Sequence, residues 1–243
     1  TEKLLAGTDS KITTVGYYCN PIQYADHRKT LEKVICTAEK FGATHVSTFA
    51  GAWEGKPVES AYEEFGKVFR ELADLAEEKG VKLGIENCLM NGTWEHATCN
   101  IGFNPKAWEV MFEEVKNDNF GLEWEPTHQM VQLIDPVTEL RKWCKKIVHI
   151  HGKDATIDWD AVRHSGISGA VPFVWHRMPG FGDTNWRDII SILRSNGYED
   201  DICIEGYHDP VYSGELEMTG QLHALNYLKW CRGGEFTPTP WEK

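Results

Sequence analysis

The chain contains no Cys-x-x-Cys pair, and its seven cysteines, at 19, 36, 88, 99, 144, 203 and 231, are odd in number and scattered. That pattern excludes a disulfide framework and a thiolate zinc knuckle, and it fits a reducing, cytoplasmic setting. Long apolar runs are missing too. No window approaches the ~18 consecutive apolar residues of a membrane span, and the opening TEKLLAGTDSK lacks the charged-then-apolar pattern of a secretory leader. Neither a membrane partner nor export is expected. Positive charge is scarce: 25 Lys and Arg against 37 Asp and Glu leave a formal net charge of -12. Binding a phosphate backbone needs basic surface, so nucleic acid is not an expected partner.

What is present suffices for a folded enzyme. The 243 residues, 41% hydrophobic and 12% aromatic, can bury a large core without more than one domain. The most informative stretch is Ile147 to Ala155, IVHIHGKDA. Val148 and Ile150 alternate with His149 and His151, the period of a strand with one aliphatic face and one imidazole face. Three other stretches are built alike. VKLGIEN at 81 to 87 ends its polar face in Glu86; NFGLEWEPTH at 119 to 128 carries Glu123 and Glu125; DICIEGY at 201 to 207 carries Glu205. In a closed parallel barrel helices cover the outside, and only the last inward residue of each strand reaches the open mouth. Glu86, Glu125, His151 and Glu205 are those residues. Three carboxylates and an imidazole converging on one mouth repel unless a cation sits among them.

In chain order, strands are expected over Ile12–Cys19 and Thr44–Ala50, and helices over Arg28–Phe41 and Val58–Lys79, closed by Gly42 and Gly80. The polar stretch from Cys88 to Ile101 reads as a lid. Asn104-Pro105 and Asp135-Pro136 each open a helix. DWDAVRHSG reads as a short helix and VPFVWHRMPG as extended chain; Asp183 or Thr184 caps a helix that ends at Asn196-Gly197, and a last helix runs from about Leu216 to Cys231. Strand and helix alternate throughout, so the class is α/β with a parallel sheet in a single domain over 1–243. Six strand–helix units can be read, whereas a (β/α)8 TIM barrel needs eight.

GIENC at 84 to 88, NFGLEWEPTH, VHIHGKDATID at 148 to 158, and PGFGDTNW with GYEDDICIE at 179 to 205 together resemble the xylose isomerase-like TIM-barrel superfamily, in its sugar phosphate isomerase/epimerase branch. The likeness runs from about residue 12 to residue 230 and extends to ketose 3-epimerases. It implies a (β/α)8 barrel whose first two strand–helix units are missing from this chain, an amino-terminally incomplete barrel. It also implies metal ligation by Glu86, Glu125, His151 and Glu205, the four the alternation selects. Where relatives read Asp-Pro-Ser-His, this chain has Glu125-Pro126-Thr127-His128, one methylene longer at the ligand. By the same resemblance, His128 and Arg177 bind substrate.

An oxygen-rich set with one imidazole suits Mn²⁺ first, with Mg²⁺ or Co²⁺ able to serve and Zn²⁺ less natural without thiolates. Such an ion binds adjacent oxygens of a ketose or related polyol and stabilises the enediolate formed when the neighbouring C–H loses its proton. Glu86 and Glu205 are the pair expected to remove and return that proton, giving a sugar isomerase or epimerase. The alternatives are a dehydratase or lyase of the inosose or dehydroshikimate dehydratase type, which uses the same first step, and a non-catalytic sugar-binding barrel. Endonuclease IV shares the barrel but needs further histidines and a basic face that this chain lacks. Oligomeric state stays open, a homodimer being compatible with a barrel of this size. His149 reads as a structural histidine one layer below His151. Glu123 needs a buried partner, for which Lys82 is the residue this reading offers, and Lys153 with Asp154 reads as a catalytic pair or a loop ion pair.

Overall fold

The computed structural model describes residues 2–234, 237–239 and 241. In chain order they form α1 (Glu2–Leu5), β1 (Thr14–Gly16), α2 (Ala25–Thr37), β2 (His45–Thr48), α3 (Tyr62–Glu78), β3 (Lys82–Glu86), α4 (Pro105–Glu114), β4 (Phe120–Trp124), α5 (Thr127–Met130), α6 (Pro136–Trp143), β5 (Ile147–Gly152), β6 (Asp154–Ile157), α7 (Trp159–Ser165), β7 (Val174–Arg177), α8 (Trp186–Ser195), β8 (Ile202–Ile204) and α9 (Glu217–Arg232). Two compact units share them. The first holds Thr1–Gln129, Lys145–Ile150 and Asp200–Ile202; the second holds Met130–Cys144, His151–Glu199 and Cys203–Lys243.

The first unit is built on the sheet β1-β2-β3-β4-β5-β8, which β5 and β8 enter through their leading residues. The pairings from β1 to β5 are parallel, and the six strands lie within the stretches expected from the sequence. Their aliphatic face packs on α3 and α4. Phe65 and Phe69 stack at 4.6 Å, and Phe120 meets both, with Phe112 beside it at 5.8 Å. Each such ring pair adds roughly 0.5–1.5 kcal/mol beyond its buried area. The expected helix over 58–79 opens as a tighter 3-10 turn, Val58–Ala61, before α3. Asn104 Oδ1 accepts from Lys106 N at 3.0 Å, which caps α4 as the Asn-Pro pair predicts.

The strand expected through His128 stops at Trp124, and Thr127–Met130 coils into a helical turn. β5 departs from plain alternation as well. Leu122 pairs with Ile147 but Glu123 pairs with His149, so Val148 is an extra residue. Val148 therefore does not share the aliphatic face of Ile150. It fills space left by two glycines: a Cβ on Gly84 would lie 3.2 Å from Val148 Cγ2, and one on Gly121 would lie 2.6 Å from Val148 Cγ1 and run into the Lys146 carbonyl oxygen.

In the second unit β6 and β7 form an antiparallel ribbon, from Asp154↔Arg177 to Ile157↔Val174. The sequence shows two extended stretches there without showing that they pair. α6 is capped as expected by Asp135, which accepts from Val137 N at 2.9 Å. α8 is capped by Asn185, not by Asp183 or Thr184, through Oδ1 and Asp188 N at 3.2 Å. Trp186, Ile189, Ile190, Ile192 and Leu193 are its buried face. All seven cysteines are free thiols. Among the described residues, no helix is long and apolar enough to cross a membrane.

Candidate functional site

In the first unit Glu86 ends β3 and Glu125 follows β4 directly. The parallel register sets Glu86 beside Glu123, with Gly84 beside Gly121 two residues earlier on the same face. Side-chain amides fix the two strand ends. Asn87 Oδ1 accepts the Glu125 N–H at 2.8 Å while its Nδ2 donates to the Glu125 carbonyl at 2.9 Å. Asn100 Nδ2 donates to the carbonyls of Glu86 and Cys88 at 2.9 and 2.8 Å, and its Oδ1 accepts from Ala50 and Gly102. Sequence reasoning passed over both asparagines. The signal available was for Asn87 alone, its place just beyond the end of β3, where an amide can serve a neighbouring strand's donors and acceptors at once.

Asn100 also changes the reading of the Cys88–Ile101 stretch. It is no free lid: Gly55 N donates to Ala97 O, Ala97 N to Lys56 O, Val58 N to Trp94 O and Ile101 N to Gly51 O, stitching it to the 51–58 loop.

His128 is buried and sets Nε2 2.8 Å from Glu125 Oε1. Burial pushes against its proton, but the Glu125 carboxylate, helped by a hydrogen bond to Cys88, overrides this and raises the imidazole to about 10. A lower layer holds Glu123. Its Oε1 lies 2.7 Å from His149 Nδ1 and its Oε2 accepts from Tyr18 Oη at 2.8 Å. His149 is thus hydrogen-bonded within its layer, and Lys82 is not Glu123's partner. Lys82 Nζ goes to Asp200 at 2.6 Å, with His45 Nε2 3.6 Å from the same carboxylate oxygen. Lys82 stands four residues before Glu86 on β3, and Glu86 is the residue beside Glu123. That separation is about 13 Å along the strand.

In the second unit His151 Nδ1 lies 3.0 Å from Glu205 Oε2, and the buried Lys153 donates to Glu205 Oε1 at 2.7 Å. The Glu205 N–H donates to the Gly152 carbonyl at 3.1 Å, which aligns the two strand ends. Lys153 and Asp154 do not pair with each other. Asp154 is wholly buried in a cradle of backbone donors, Ala155 N at 2.8 Å, Thr184 N at 3.0 Å and Gly180 N at 3.3 Å. Burial raises its carboxyl against those hydrogen bonds. Its work is to hold the 180–184 turn. Arg177, on β7, sends Nε to Asp209 Oδ2 at 3.3 Å and sets its guanidinium 5.8 Å from the Phe181 ring centroid. Burial raises the Asp209 carboxyl, but the N–H groups of Tyr212, Met178 and Val211, together with Arg177, bring it below the usual range.

Each unit thus carries its share of the expected donors ordered at strand ends: Glu86 and Glu125 in the first, His151 and Glu205 in the second. The donor chemistry, carboxylate oxygens with imidazole nitrogen, suits a hard or borderline divalent ion.

A family model described as xylose isomerase-like TIM barrel matches residues 2–229, in agreement with the α/β class expected from the strand–helix alternation and with the barrel that the resemblance implies. The chain is 26% identical over 227 residues to an inosose dehydratase of Clostridium tetani (strain Massachusetts / E88), covering 90% of this chain and 72% of that protein. It superposes on the solved IolI protein with a binding zinc atom at a TM-score of 0.67 and 19% identity, covering 94% of this chain and 77% of that one. It superposes on an L-ribulose 3-epimerase at 0.64 and 16%, covering 93% and 80%. At these identities the structural likeness speaks for the fold.

Proposed function

The chain belongs to the xylose isomerase-like TIM-barrel family, and on that premise we propose that it is a divalent-metal-dependent enzyme acting on the carbon next to the carbonyl of a keto-polyol or ketose. We assign Glu86, Glu125, His151 and Glu205 as the ligands. The observation that carries this reading is the His151–Glu205 pair, whose Nδ1 and Oε2 are 3.0 Å apart while Lys153 fixes the other carboxylate oxygen. Adjacent donors on an octahedral ion with bonds of ~2.1 Å are spaced about 3 Å apart. Bound there, the ion supplies positive charge that polarises a carbonyl and stabilises the anion left when the neighbouring C–H loses its proton.

The chain's own groups then decide the outcome. Glu86 accepts the C–H proton. Lys153, the one buried lysine among the described residues, gives a proton to the β-hydroxyl as its C–O bond breaks, so that water leaves. Glu205 holds Lys153 in place, and after water leaves, Glu86 gives its proton to solvent and Lys153 takes one from solvent, which restores both groups. Arg177, with Nε committed to Asp209, directs its remaining guanidinium nitrogens to substrate oxygens, and His128 orients Glu125 beside the bound substrate. This is a dehydratase in the sense of the relative's name, and a buried ammonium on the acid side supports it. The second reading, an epimerase or isomerase in which Glu86 and Glu205 remove and return one proton, draws on the likeness to L-ribulose 3-epimerase.

The test is to measure bound manganese, magnesium, cobalt and zinc in the purified protein, then incubate the metal-loaded protein with an inosose and with ketoses in deuterated water. Deuterium at the carbon beside the carbonyl reports the shared step. Loss of water, read by mass, supports the dehydratase; an epimer or isomer, read by NMR, supports the second reading. Metal-loaded protein that exchanges no proton on any keto-polyol defeats both and leaves a sugar-binding barrel.

A further inference from the structure

In the first unit the chain doubles back on itself between Cys88 and Asn100. Met90 and Asn91 hold left-handed backbone, with φ of 50° and 57°, and the direction reverses there. The returning limb then touches the outgoing one. Thr98 Oγ1 donates to the Met90 carbonyl at 2.9 Å, and Asn100 Nδ2 donates to the Cys88 carbonyl at 2.8 Å. A Cβ on Gly92 would sit 3.3 Å from Leu89 O and from Thr98 N, so the limbs approach as closely as bare backbone allows. Cys99 lies between those two contacts, and Cys88 takes part in one of them. Both thiols are half-buried, and each lies within electrostatic reach of the other. Cys19 is the rival partner, because it too feels Cys99. It is buried, its Sγ lies 3.6 Å from Thr48 Oγ1, and burial pushes the thiol up to about 11. A thiol kept protonated and out of solvent is inert.

We propose that Cys88 and Cys99 form a dithiol that hydrogen peroxide closes reversibly into a disulfide. Such a bond spans Cα atoms roughly 4.4–6.8 Å apart, a spacing that two limbs bridged by one asparagine side chain reach by local adjustment of the loop. In the first step one sulfur attacks a peroxide oxygen: an S–O bond forms, the O–O bond breaks, and the hydroxide released takes the thiol proton and leaves as water. The second sulfur then displaces the sulfenic hydroxyl, forming S–S and breaking S–O, and a second water leaves. The two thiols lose two electrons, which the peroxide gains. In a reducing compartment a bond of this kind is transient, a sensor rather than a staple. Cys88 is also hydrogen-bonded to His128, whose Nε2 is 2.8 Å from Glu125 Oε1. Turning the Cys88 sulfur to Cys99 takes that partner from His128, so the closed form orients Glu125 less firmly and turns over more slowly. The slower turnover rests on Glu125 being a ligand of the proposed enzyme; the bond between the sulfurs does not.

Peptide mapping of the full chain tests it. Reduced protein is treated with hydrogen peroxide, the remaining thiols are alkylated, and the chain is cut after glutamate. Cleavage at Glu86, Glu95 and Glu109 puts Cys88 in 87–95 and Cys99 in 96–109, and these two peptides are expected to stay joined until dithiothreitol is added. Cys99→Ser leaves no joined pair and, when reduced, keeps the wild-type rate; Cys19→Ser joins the two peptides as the wild type does. Turnover of the joined form on a keto-polyol falls several-fold and returns with dithiothreitol. Cys88 and Cys99 both alkylated after peroxide, or Cys99 joined to Cys19, overturns the inference, and so does a joined form that keeps its full rate. A reduced chain inactive on every keto-polyol defeats the catalytic reading alone, and the mapping then decides the bond by itself.

Discussion

The two units hold their proposed ligands by different means. In the first, Glu125 is wholly buried, its backbone is gripped on both sides by the Asn87 amide, and Glu123 below it is closed off by His149 and Tyr18. In the second, Glu205 follows a three-residue strand, its side chain is 27% exposed, and it is held by the Lys153 ammonium on one oxygen with His151 Nδ1 3.0 Å from the other. Buried hydrogen-bonded groups lose several kcal/mol when one partner goes, whereas a carboxylate that keeps an edge in solvent loses less. The first unit therefore ties its carboxylates to folding, and the second leaves its carboxylate free to serve chemistry.

The sharpest test of that contrast is Glu205→Gln, which should lower turnover by at least ~10³-fold, the upper part of what a positioned acid–base group contributes. The melting temperature should stay near wild type, since the amide oxygen still accepts from Lys153. Full activity, or a collapse of the fold, would break the comparison. Glu123→Ala is its opposite number. Removing the carboxylate strands a buried imidazole and a hydroxyl, so denaturant unfolding should show a loss of about 3–5 kcal/mol. A loss under 1 kcal/mol would show that the lower layer is not structural. Gly121→Ala comes next, at about 1–3 kcal/mol, because the new methyl meets a backbone carbonyl that side-chain rearrangement cannot move. Gly84→Ala, where the neighbours are 3.2–3.3 Å away, should cost less, and Val148→Ala should relieve it.

The smallest effect is a pH slope set by His45. Burial lowers its proton affinity below the ordinary 6.5, outweighing the opposing pull of Asp200. As pH falls through 6.5 the unfolded chain takes up the proton while the folded ring does not, so stability declines below that value and recovers above it. Unfolding in urea on either side of the transition, with and without His45→Gln, should show a shallower decline in the variant.

Much of this was legible in the amino acids. A period of two between aliphatic and polar residues located four strands of the sheet, β-branched and aromatic content located the first, and the alternation singled out Glu86, Glu125, His151 and Glu205 because a carboxylate or imidazole ending an otherwise greasy strand needs a reason. Asn-Pro and Asp-Pro located two helix starts through capping chemistry that is local. What escaped was set by register, which sequence spacing does not encode. Lys82 is separated from Glu123 because the strands are aligned so that Glu86, not Lys82, lies alongside it. The β6–β7 ribbon joins two stretches whose pairing depends on the intervening α7. Asn185 was passed over as the cap of α8 because Asp183 and Thr184, just before it, have equally good capping side chains.

Val148 has one more consequence. Paired residue for residue with β4 beyond Ile147, β5 would place His149 alongside Trp124 and turn both imidazoles toward the covering helices. The single supernumerary valine resets the phase, so flattening that bulge with the valine kept, a change invisible to any measure of composition or hydropathy, would exchange the addresses of every side chain downstream to Gly152, whereas deleting the valine would leave them where they are. Two small glycines on neighbouring strands make room for that reset, and they tie the direction of His151 to the absence of a methyl group elsewhere in the sheet.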